Sequence, residues 1–424
     1  MKSYDSYKES GIKWLGKVPS HWEIKRGKYV TKLLSGFPFN SDLFSTDETD
    51  MPLIRIRDIM NTSTESFYSG PYPKAYIIKK GDVLVGMDGD FNVAIWNGPD
   101  GLLNQRVCKV VDMPEFCARY ASYVLPRPLR CINDITYSTT VKHLSTFDIY
   151  REYFPVPPIG EQQAIADYLD AECKKIDNLI KKEEKRVQLI EETKLSIITK
   201  VITKGFDTDK ELVNSGIDWV GKIPSDWALW KTSHLFAGIG SGTTPKSSDS
   251  SYYDDEGHYW LQTGDLNDGH ITNTSKKVSD KAVSEKNLRF YPANSLVIAM
   301  YGATIGKLGI LDIETSTNQA CCVLPPSKKV LPMFAFYHFM AAKQDLINQS
   351  AGGGQPNISQ DIIRRHKIAL PPTIDDQRAI VDYISEKTIK YDATLRKAHK
   401  MINTLKEYKH SLITEIVTGK RKVC

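Results

Sequence analysis

The longest amphipathic pattern in the chain spans residues 161–205, with no proline and with its only glycine at the end. Apolar side chains recur in it at heptad spacing, as in the seam of a coiled coil. The a positions are Leu169, Ile176, Glu183, Ile190 and Ile197, and the d positions are Cys173, Ile180, Val187, Lys194 and Val201. At about 1.5 Å per residue such a helix extends roughly 60 Å, so we expect it to act as a spacer.

The same pattern occurs a second time near the C-terminus. QRAIVDYI at residues 377–384 repeats QQAIADYL at 162–169, and LITEIVTG at 412–419 repeats IITKVITK at 197–204 with the same offset. The repeated seam has Ile384, Tyr391, Ala398, Leu405 and Leu412 at a, and Thr388, Leu395, Ile402, Lys409 and Ile416 at d. The simplest arrangement of two equal helices buries their apolar a and d positions against each other. The alternative is that each helix packs on its own domain.

A shorter motif is also duplicated. GIKWLGKVPSHW at residues 11–22 recurs as GIDWVGKIPSDW at residues 216–227. Trp, Gly and Pro at fixed spacing favour a docking turn whose indoles pack on a neighbouring element, rather than an aromatic pair that stacks a ligand. The C-terminal segment stops where the first copy would continue into the second motif, and the chain begins just before the first motif, so we expect the two chain ends to lie close together.

Two domain-sized inserts lie between the repeats, at residues 24–155 and 229–369, each rich in short β-type runs broken by Gly, Pro, Asn and Asp. Their landmarks align in pairs: residues 52–59 with 259–266, 81–90 with 294–303, 103–110 with 317–324, and 140–149 with 355–362. We therefore predict an α+β fold with two similar globular α/β domains joined by two long helices. The expected divisions are 1–155, 156–205, 206–369 and 370–424.

Composition narrows the class of protein. With 424 residues, 41% of them apolar, we expect two to three domains with substantial cores. The net charge of +5 permits nucleic-acid binding without arguing for it. Seven cysteines without a CxxC pair suggest neither a disulfide framework nor a zinc site. No apolar run is long enough to cross a bilayer, and no signal segment is evident. A cytoplasmic location without membrane contact is the expectation.

A search for catalytic motifs finds none. The Pro-Pro sites read VPPI, LPPS and LPPT, none of which has the Asn or Asp and the aromatic of an amino-methyltransferase motif. GIGSGTTPK at residues 238–246 lacks phosphate-loop spacing, and the histidines form no HExxH pair. We interpret the glycine-rich segments as contact loops.

The insert loops do carry side chains suited to reading base edges. Asn104, Gln105 and Arg106 lie in one insert, and Asn318 and Gln319 in the other. Asn and Gln match the hydrogen-bonding edge of adenine, and Arg matches that of guanine. Four basic residues are candidates for phosphate contacts: Lys142, His143, Lys246 and Lys307.

Taken together, these features resemble the DNA-specificity subunit of type I restriction–modification systems. The resemblance is carried by the duplicated GIxWxGxxPxxW motif, the QxAIxDYL helix start, the ITKVITKG helix end, and the phrases SGTTPKSS, LQTGDL, AMYGATIGKLGI and NQACCVLPP. It implies two target-recognition domains, each reading half of a bipartite site in double-stranded DNA, and antiparallel helices that set the gap.

The resemblance also implies partners and cofactors. Two modification (methyltransferase) subunits would bring S-adenosylmethionine and the methyl-transfer chemistry, and restriction subunits would bring ATP and Mg, with no cofactor in this chain. The chain itself is then expected to be non-catalytic. Two other classes stay open at this point: a self-sufficient DNA methyltransferase or nuclease, and a protein scaffold that does not read DNA.

Residue by residue, the resemblance implies DNA-facing loops in both inserts. In the first insert they comprise Ser35, Gly36, Phe37, Met87, Asp88, Gly89, Asp90, Asn104, Gln105, Arg106, Thr139, Thr140, Lys142 and His143. In the second they comprise Ser241, Gly242, Thr243, Thr244, Lys246, Thr263, Tyr301, Gly302, Thr304, Asn318, Gln319, Gly353, Gln355 and Asn357. The first insert departs from the second where MDGD replaces MYGA and SGFPF replaces SGTTPK.

Overall fold

The computed structural model describes residues 3–135, 142–207, 209–350 and 357–423. The chain forms two compact units. Unit 1 comprises Met1–Glu183 and Lys400–Cys424, and unit 2 comprises Glu184–His399. Each unit therefore contains one insert and a part of each long helix.

Unit 1 is built mainly from short strands. The strands are β1 (Tyr7–Glu9), β2 (Lys17–Pro19), β3 (Glu23–Arg26), β4 (Lys32–Ser35), β5 (Phe44–Ser45), β6 (Met51–Ile54), β7 (Phe67–Tyr68), β8 (Ile77–Ile78), β9 (Val83–Gly86), β10 (Val93–Ile95), β11 (Gly101–Leu103), β12 (Val107–Val111) and β13 (Tyr153–Val156). The short helices are α1 (Gly27–Val30), α2 (Ala118–Val124), α3 (Pro126–Ile135) and α4 (Thr146–Arg151). The first long helix, α5 (Ile159–Lys204), begins in this unit.

Two sheets form the first insert. One is antiparallel in the order β10-β9-β12-β4, and the other has the order β5-β7-β6-β11-β8, in which β6 and β11 run parallel. The apolar run of β9, which lies between β10 and β12, is buried along its whole length. Antiparallel pairing of β3 with β13 joins the start of the insert to its end, directly before α5.

Unit 2 repeats this plan. Its strands are β14 (Leu212–Asn214), β15 (Lys222–Pro224), β16 (Ala228–Lys231), β17 (Gly240–Ser241), β18 (Tyr253–Leu261), β19 (Gly269–Ile271), β20 (Lys276–Val278), β21 (Phe290–Tyr291), β22 (Leu296–Ala299), β23 (Leu308–Leu311), β24 (Thr315–Thr317), β25 (Cys321–Leu324) and β26 (Lys367–Leu370). Its helices are α6 (Thr232–Leu235), α7 (Asp280–Lys286), α8 (Pro332–Asn348), α9 (Gln360–Arg365) and the first part of α10 (Ile374–Val417).

The sheets of unit 2 match those of unit 1 strand for strand at their centres. The order β17-β25-β22-β23 corresponds to β4-β12-β9-β10, and the parallel pair β18 and β24 corresponds to β6 and β11. The pairing of β16 with β26 again closes the insert before a long helix. The two inserts share a fold, as their aligned landmarks predict.

A buried glutamine ties each long helix to its insert. The Gln162 side chain accepts from the Cys117 amide at 2.9 Å and donates to the Glu115 carbonyl at 2.8 Å. In unit 2, Gln377 accepts from the Leu331 amide at 2.9 Å and donates to a backbone carbonyl in the same way. These contacts explain why the QxAIxDYL motif starts both helices.

The predicted helix seam is confirmed within each unit. In unit 1 Leu169 and Ile176 are buried, and in unit 2 Val201 and Ile384 are buried. The two lysines at d positions form ion pairs across the seam: Lys409 with Asp177 at 2.7 Å in unit 1, and Lys194 with Asp392 at 2.5 Å in unit 2. In each unit the two helix segments run antiparallel, since residue numbers rise along one as those of its contacts fall along the other.

The Trp-Gly-Pro motif packs where each long helix ends, which confirms the docking turn. Gly419 has a φ of +70°, as at a helix C-terminus, and lies against the Pro19 and Trp22 side chains. Gly205 has a φ of +71° and lies against Trp227. The chain ends also approach each other, because the Lys422 ammonium lies 5.7 Å from the Tyr4 ring centroid.

No helix in the described part of the chain is both long enough and apolar enough to cross a membrane.

Candidate nucleic-acid interface

Four of the predicted loop segments of the first insert lie side by side. Gly36 donates to the Val107 carbonyl at 2.9 Å, and Phe37 forms a bridge with Asn104. A Cβ atom on Gly36 would lie 2.0 Å from the Asn104 carbonyl oxygen, so only glycine permits this approach. The end of β4 is thereby held against the turn between β11 and β12.

Backbone contacts join the remaining segments to this turn. The Met87 amide donates to the Arg106 carbonyl at 3.0 Å, and the Leu144 amide donates to the Met87 carbonyl at 2.7 Å. Asp88 forms a bridge with His143. Residues 35–37, 87–90, 104–106 and 142–143 consequently form one contiguous surface, which we term ledge 1.

A carboxylate, a guanidinium and an imidazole cluster at the centre of ledge 1. The Asp88 carboxylate contacts His143 Nδ1 at 2.7 Å through one oxygen and Arg106 Nε at 3.5 Å through the other. The Asp88 side chain is 17% exposed, whereas Arg106 and His143 are 58% and 61% exposed. The acidic group is thus mostly covered and the two basic groups face solvent.

Several predicted residues of ledge 1 build the surface instead of presenting a side chain. Phe37 packs at 5.1 Å ring separation on both Phe39 and Tyr76. Met87 is buried. The Lys142 ammonium donates to the Asn133 backbone and side-chain oxygens, which turns it towards α3. A direct phosphate contact by Lys142 therefore requires breaking these bonds.

The second insert forms an equivalent surface, ledge 2, from residues 241–246, 300–304, 318–320 and 357. Tyr301 bridges Asn357, and the Met300 amide donates to the Ala320 carbonyl at 2.8 Å. A Cβ on Gly242 would lie 1.7 Å from the Thr317 carbonyl oxygen, so this glycine repeats the role of Gly36. The two ledges have the same backbone plan.

Two aromatic side chains hold the backbone of the GTTPK loop of ledge 2, residues 242–246. Trp260 Nε1 donates to the Thr243 carbonyl at 3.1 Å, and the Tyr253 hydroxyl donates to the Pro245 carbonyl at 3.0 Å. Thr243, Thr244 and Lys246 remain exposed. The loop therefore presents two hydroxyls and an ammonium on a supported backbone, a set suited to phosphate contacts.

The turn asparagines and glutamines have different roles. The Asn104 side-chain oxygen accepts from the Gln105 amide at 2.6 Å, and that of Asn318 accepts from the Ala320 amide at 3.1 Å. These two half-buried asparagines stabilise their turns. Gln105 and Gln319 are exposed and free to contact a ligand.

The other predicted residues fall into three groups. Ser35, Asp90, Gly302 and Asn357 are exposed, whereas Gly89, Ser241, Thr263, Tyr301, Thr304 and Lys307 are half-buried. Thr139, Thr140, Gly353 and Gln355 lie outside the described residues. Sequence reasoning missed Asn133, which holds Lys142, and Gln360, whose Nε2 donates to Ser241 Oγ at 2.8 Å. Gln360 lies 119 residues from Ser241, and Asn133 lies on α3 outside the predicted loops, so no local motif marks either residue.

The described residues contain no cluster of three or more His, Cys, Asp and Glu side chains placed to hold a metal ion. A cleft of about 860 Å³ lies in unit 1 beside Trp14 and the ion-paired Arg119 and Asp170. None of the ledge residues lines this cleft. The exposed ledge side chains offer hydrogen-bonding and charged groups.

Comparison with known proteins was consistent across sequence and structure. Residues 19–191 and 224–406 match the family described as "Type I restriction modification DNA specificity domain". The chain is 28% identical to the type I restriction enzyme EcoBI specificity subunit of Escherichia coli, over 97% of this chain and 88% of that protein. It is 24% identical to the MjaVIII specificity subunit of Methanocaldococcus jannaschii, over 98% of this chain and 97% of that protein.

A solved structure reported for complex assembly and conformational transition of the type I R-M system has a similar fold. Its chain gives a TM-score of 0.62 at 18% identity, covering 94% of this chain and 98% of that one.

Proposed function

The chain belongs to the type I restriction modification DNA specificity family, and we propose that its two inserts each read one half of a bipartite DNA site, through ledge 1 and ledge 2. It is a non-catalytic specificity subunit. The observation that carries the proposal is the shared backbone of the ledges combined with different exposed side chains. A two-part recognition sequence requires two similar surfaces whose exposed side chains differ, so that each surface contacts a different half-site.

The exposed side chains support base reading. Gln105 and Gln319 protrude from equivalent turns, where an amide can make two hydrogen bonds to adenine in the major groove. Thr243, Thr244 and Lys246 offer contacts to phosphate. We also propose that the DNA-facing loops predicted from the sequence form these contacts, and that the chain divides into domains at 1–155, 156–205, 206–369 and 370–424.

The long helices have two roles in the proposed function. α5 and α10 would set the gap between the two half-sites and offer surfaces to two modification subunits. Those subunits would supply S-adenosylmethionine and methyl transfer, and restriction subunits would add ATP and Mg. The match with proteins named as specificity subunits supports this division of labour.

The test is single-molecule sequencing of methylated bases in DNA from host cells with and without this gene. We expect a bipartite motif that disappears on deletion and returns with the intact gene. An unchanged methylome in cells whose modification subunits are active contradicts the proposal.

A protein scaffold without DNA recognition makes a different prediction. The purified complex with modification subunits would then bind duplexes that carry the motif and duplexes that lack it with equal affinity. Sequence recognition predicts a difference of roughly 10³-fold or more at fixed salt.

A further inference from the structure

We propose that Arg106, oriented by Asp88, reads a guanine in the half-site of the first insert, and that the second insert has no counterpart of this reader. The inference rests on the proposed function and deepens it. It assigns one base of the recognition sequence to one side chain.

The position of Arg106 suits a base reader. It lies in the turn between β11 and β12 on ledge 1, with most of its side chain in solvent. Asp88 contacts the guanidinium at Nε, and among the described residues no acceptor lies within hydrogen-bonding distance of the two terminal Nη groups. Those two groups form the fork that pairs with O6 and N7 of guanine.

The carboxylate of Asp88 orients this fork before DNA arrives. Its oxygens are divided between Arg106 and His143, and its own backbone is fixed by the bridge to His143. A restrained arginine loses less rotamer freedom on binding than a free one, so more of the contact free energy goes into affinity. Because the Arg106 guanidinium lies beside the carboxylate, repulsion between the carboxylate and DNA phosphates is partly offset.

The second insert differs at each of these positions. Ala320 occupies the place of Arg106, since each residue's carbonyl accepts from the equivalent methionine amide. Tyr301 and Asn357 occupy the places of Asp88 and His143, as the matching bridges show. Ala320 is buried, and its side chain carries no hydrogen-bonding group. Guanine reading of this kind is therefore confined to the first half-site.

A guanidinium on DNA has one other common partner, a backbone phosphate, which carries no base identity. The two contacts differ in what removal of the side chain does. Loss of a base contact relaxes one position of the motif, whereas loss of a phosphate contact weakens binding to all sequences alike.

The experiment uses the specificity chain in complex with its modification subunits. Binding is measured for duplexes that carry each of the four base pairs at every position of the first half-site. That half-site is assigned by exchanging the insert. For Arg106→Ala we expect the preference for a G·C pair at one position to fall about tenfold to a hundredfold, with the second half-site unchanged.

A matched control removes the same charge elsewhere in unit 1. Arg26 lies on β3, donates to the Tyr153 hydroxyl and belongs to neither ledge. The Arg26→Ala complex should keep the full preference, and the thermal unfolding of each variant shows that it is folded.

Asp88 is tested as a positioning residue. Asp88→Asn should reduce the same preference by less than Arg106→Ala does, and should add nothing to it in the double variant. An independent effect of Asp88→Asn overturns its positioning role.

Three outcomes overturn the inference: no G·C pair in the first half-site, unchanged preference in Arg106→Ala, or equal weakening on every sequence. They are distinct from failure of the proposed function, in which the wild-type complex shows no bipartite preference at all.

Discussion

Two glycines decide whether the ledges form. Gly36 and Gly242 each lie where a Cβ atom would approach a carbonyl oxygen to 2.0 Å or less. The clash is with backbone, which cannot rotate away, so the strand end must separate from its neighbouring turn. The loss affects both local stability and the placement of the readers.

We predict that Gly36→Ala destabilises unit 1 by about 1–3 kcal/mol, as overpacking does, and abolishes recognition of the first half-site. Denaturant unfolding and motif sequencing measure the two effects. Gly160→Ala is the matched control, because nothing lies within 4 Å of that position in α5 and alanine favours a helix. Wild-type stability in Gly36→Ala would show that the ledge does not depend on this approach.

A buried histidine pair makes unit 2 sensitive to acid. The Nε2 atoms of His338 and His366 lie 3.0 Å apart, with the Trp219 indole stacked on His366. Burial lowers the pKa of both imidazoles, that of His366 to about 4, and the proximity of His366 lowers the pKa of His338 further. Both rings are therefore neutral near pH 7, and one donates to the other.

The direction of the pH dependence follows. Between pH 6.5 and about 4 the unfolded chain binds more protons at these histidines than the folded unit does, so stability falls as pH falls. The contribution of His366, complete above pH 6.5, is on the order of 3 kcal/mol. Hydrogen exchange of α8 at pH 7, 6 and 5 should show progressive loss of protection that a His338→Leu/His366→Leu variant lacks. Equal pH dependence in that variant would place the cause elsewhere.

At the scale of elements, the helix seam combines apolar packing with a specific ion pair in each unit. Lys194 and Lys409 occupy d positions, where an apolar residue would be more stabilising. Each instead reaches an aspartate on the facing helix, Asp392 or Asp177. A polar pair at one layer is satisfied in one alignment of the two helices, so it specifies register more than it adds stability.

We predict that Asp392→Lys lowers the stability of unit 2 by about 1 kcal/mol, because two ammonium groups then face each other across the seam. The exchange Lys194→Asp with Asp392→Lys should recover most of the loss. Thermal unfolding followed by circular dichroism measures both. If the exchanged pair is as unstable as the single variant, the pair does not act through its charges.

At the scale of the whole molecule, each insert is closed by one antiparallel strand pair, β3 with β13 and β16 with β26. A buried glutamine then fixes it to its long helix. The ledge residues take part in neither the strand pairs nor the glutamine contacts. We therefore expect recognition and spacing to be separable properties of the chain.

Replacing the residues between β3 and β13 with the corresponding segment of a family member of different specificity should change the first half-site alone. The second half-site and the gap should persist, because ledge 2 and both helices are unaltered. Sequencing of the methylated motif checks all three together. A change in the second half-site, or retention of the first, contradicts independent reading by the two inserts.

Local patterns in the sequence were sufficient for the long helices, their seam positions, the docking turns and the duplicated inserts, whereas the antiparallel direction of the helices was implied by the family resemblance. These features depend on periodicity and on repeated motifs, which neighbouring residues along the chain carry by themselves. The roles of individual site residues depend instead on contacts between distant segments. Asn104 and Arg106 are equally plausible readers in the sequence, but Asn104 stabilises its turn whereas Arg106 extends from it beside Asp88. Which polar groups face solvent is settled by packing and hydrogen bonding across the fold, because each buried donor or acceptor must find a partner there.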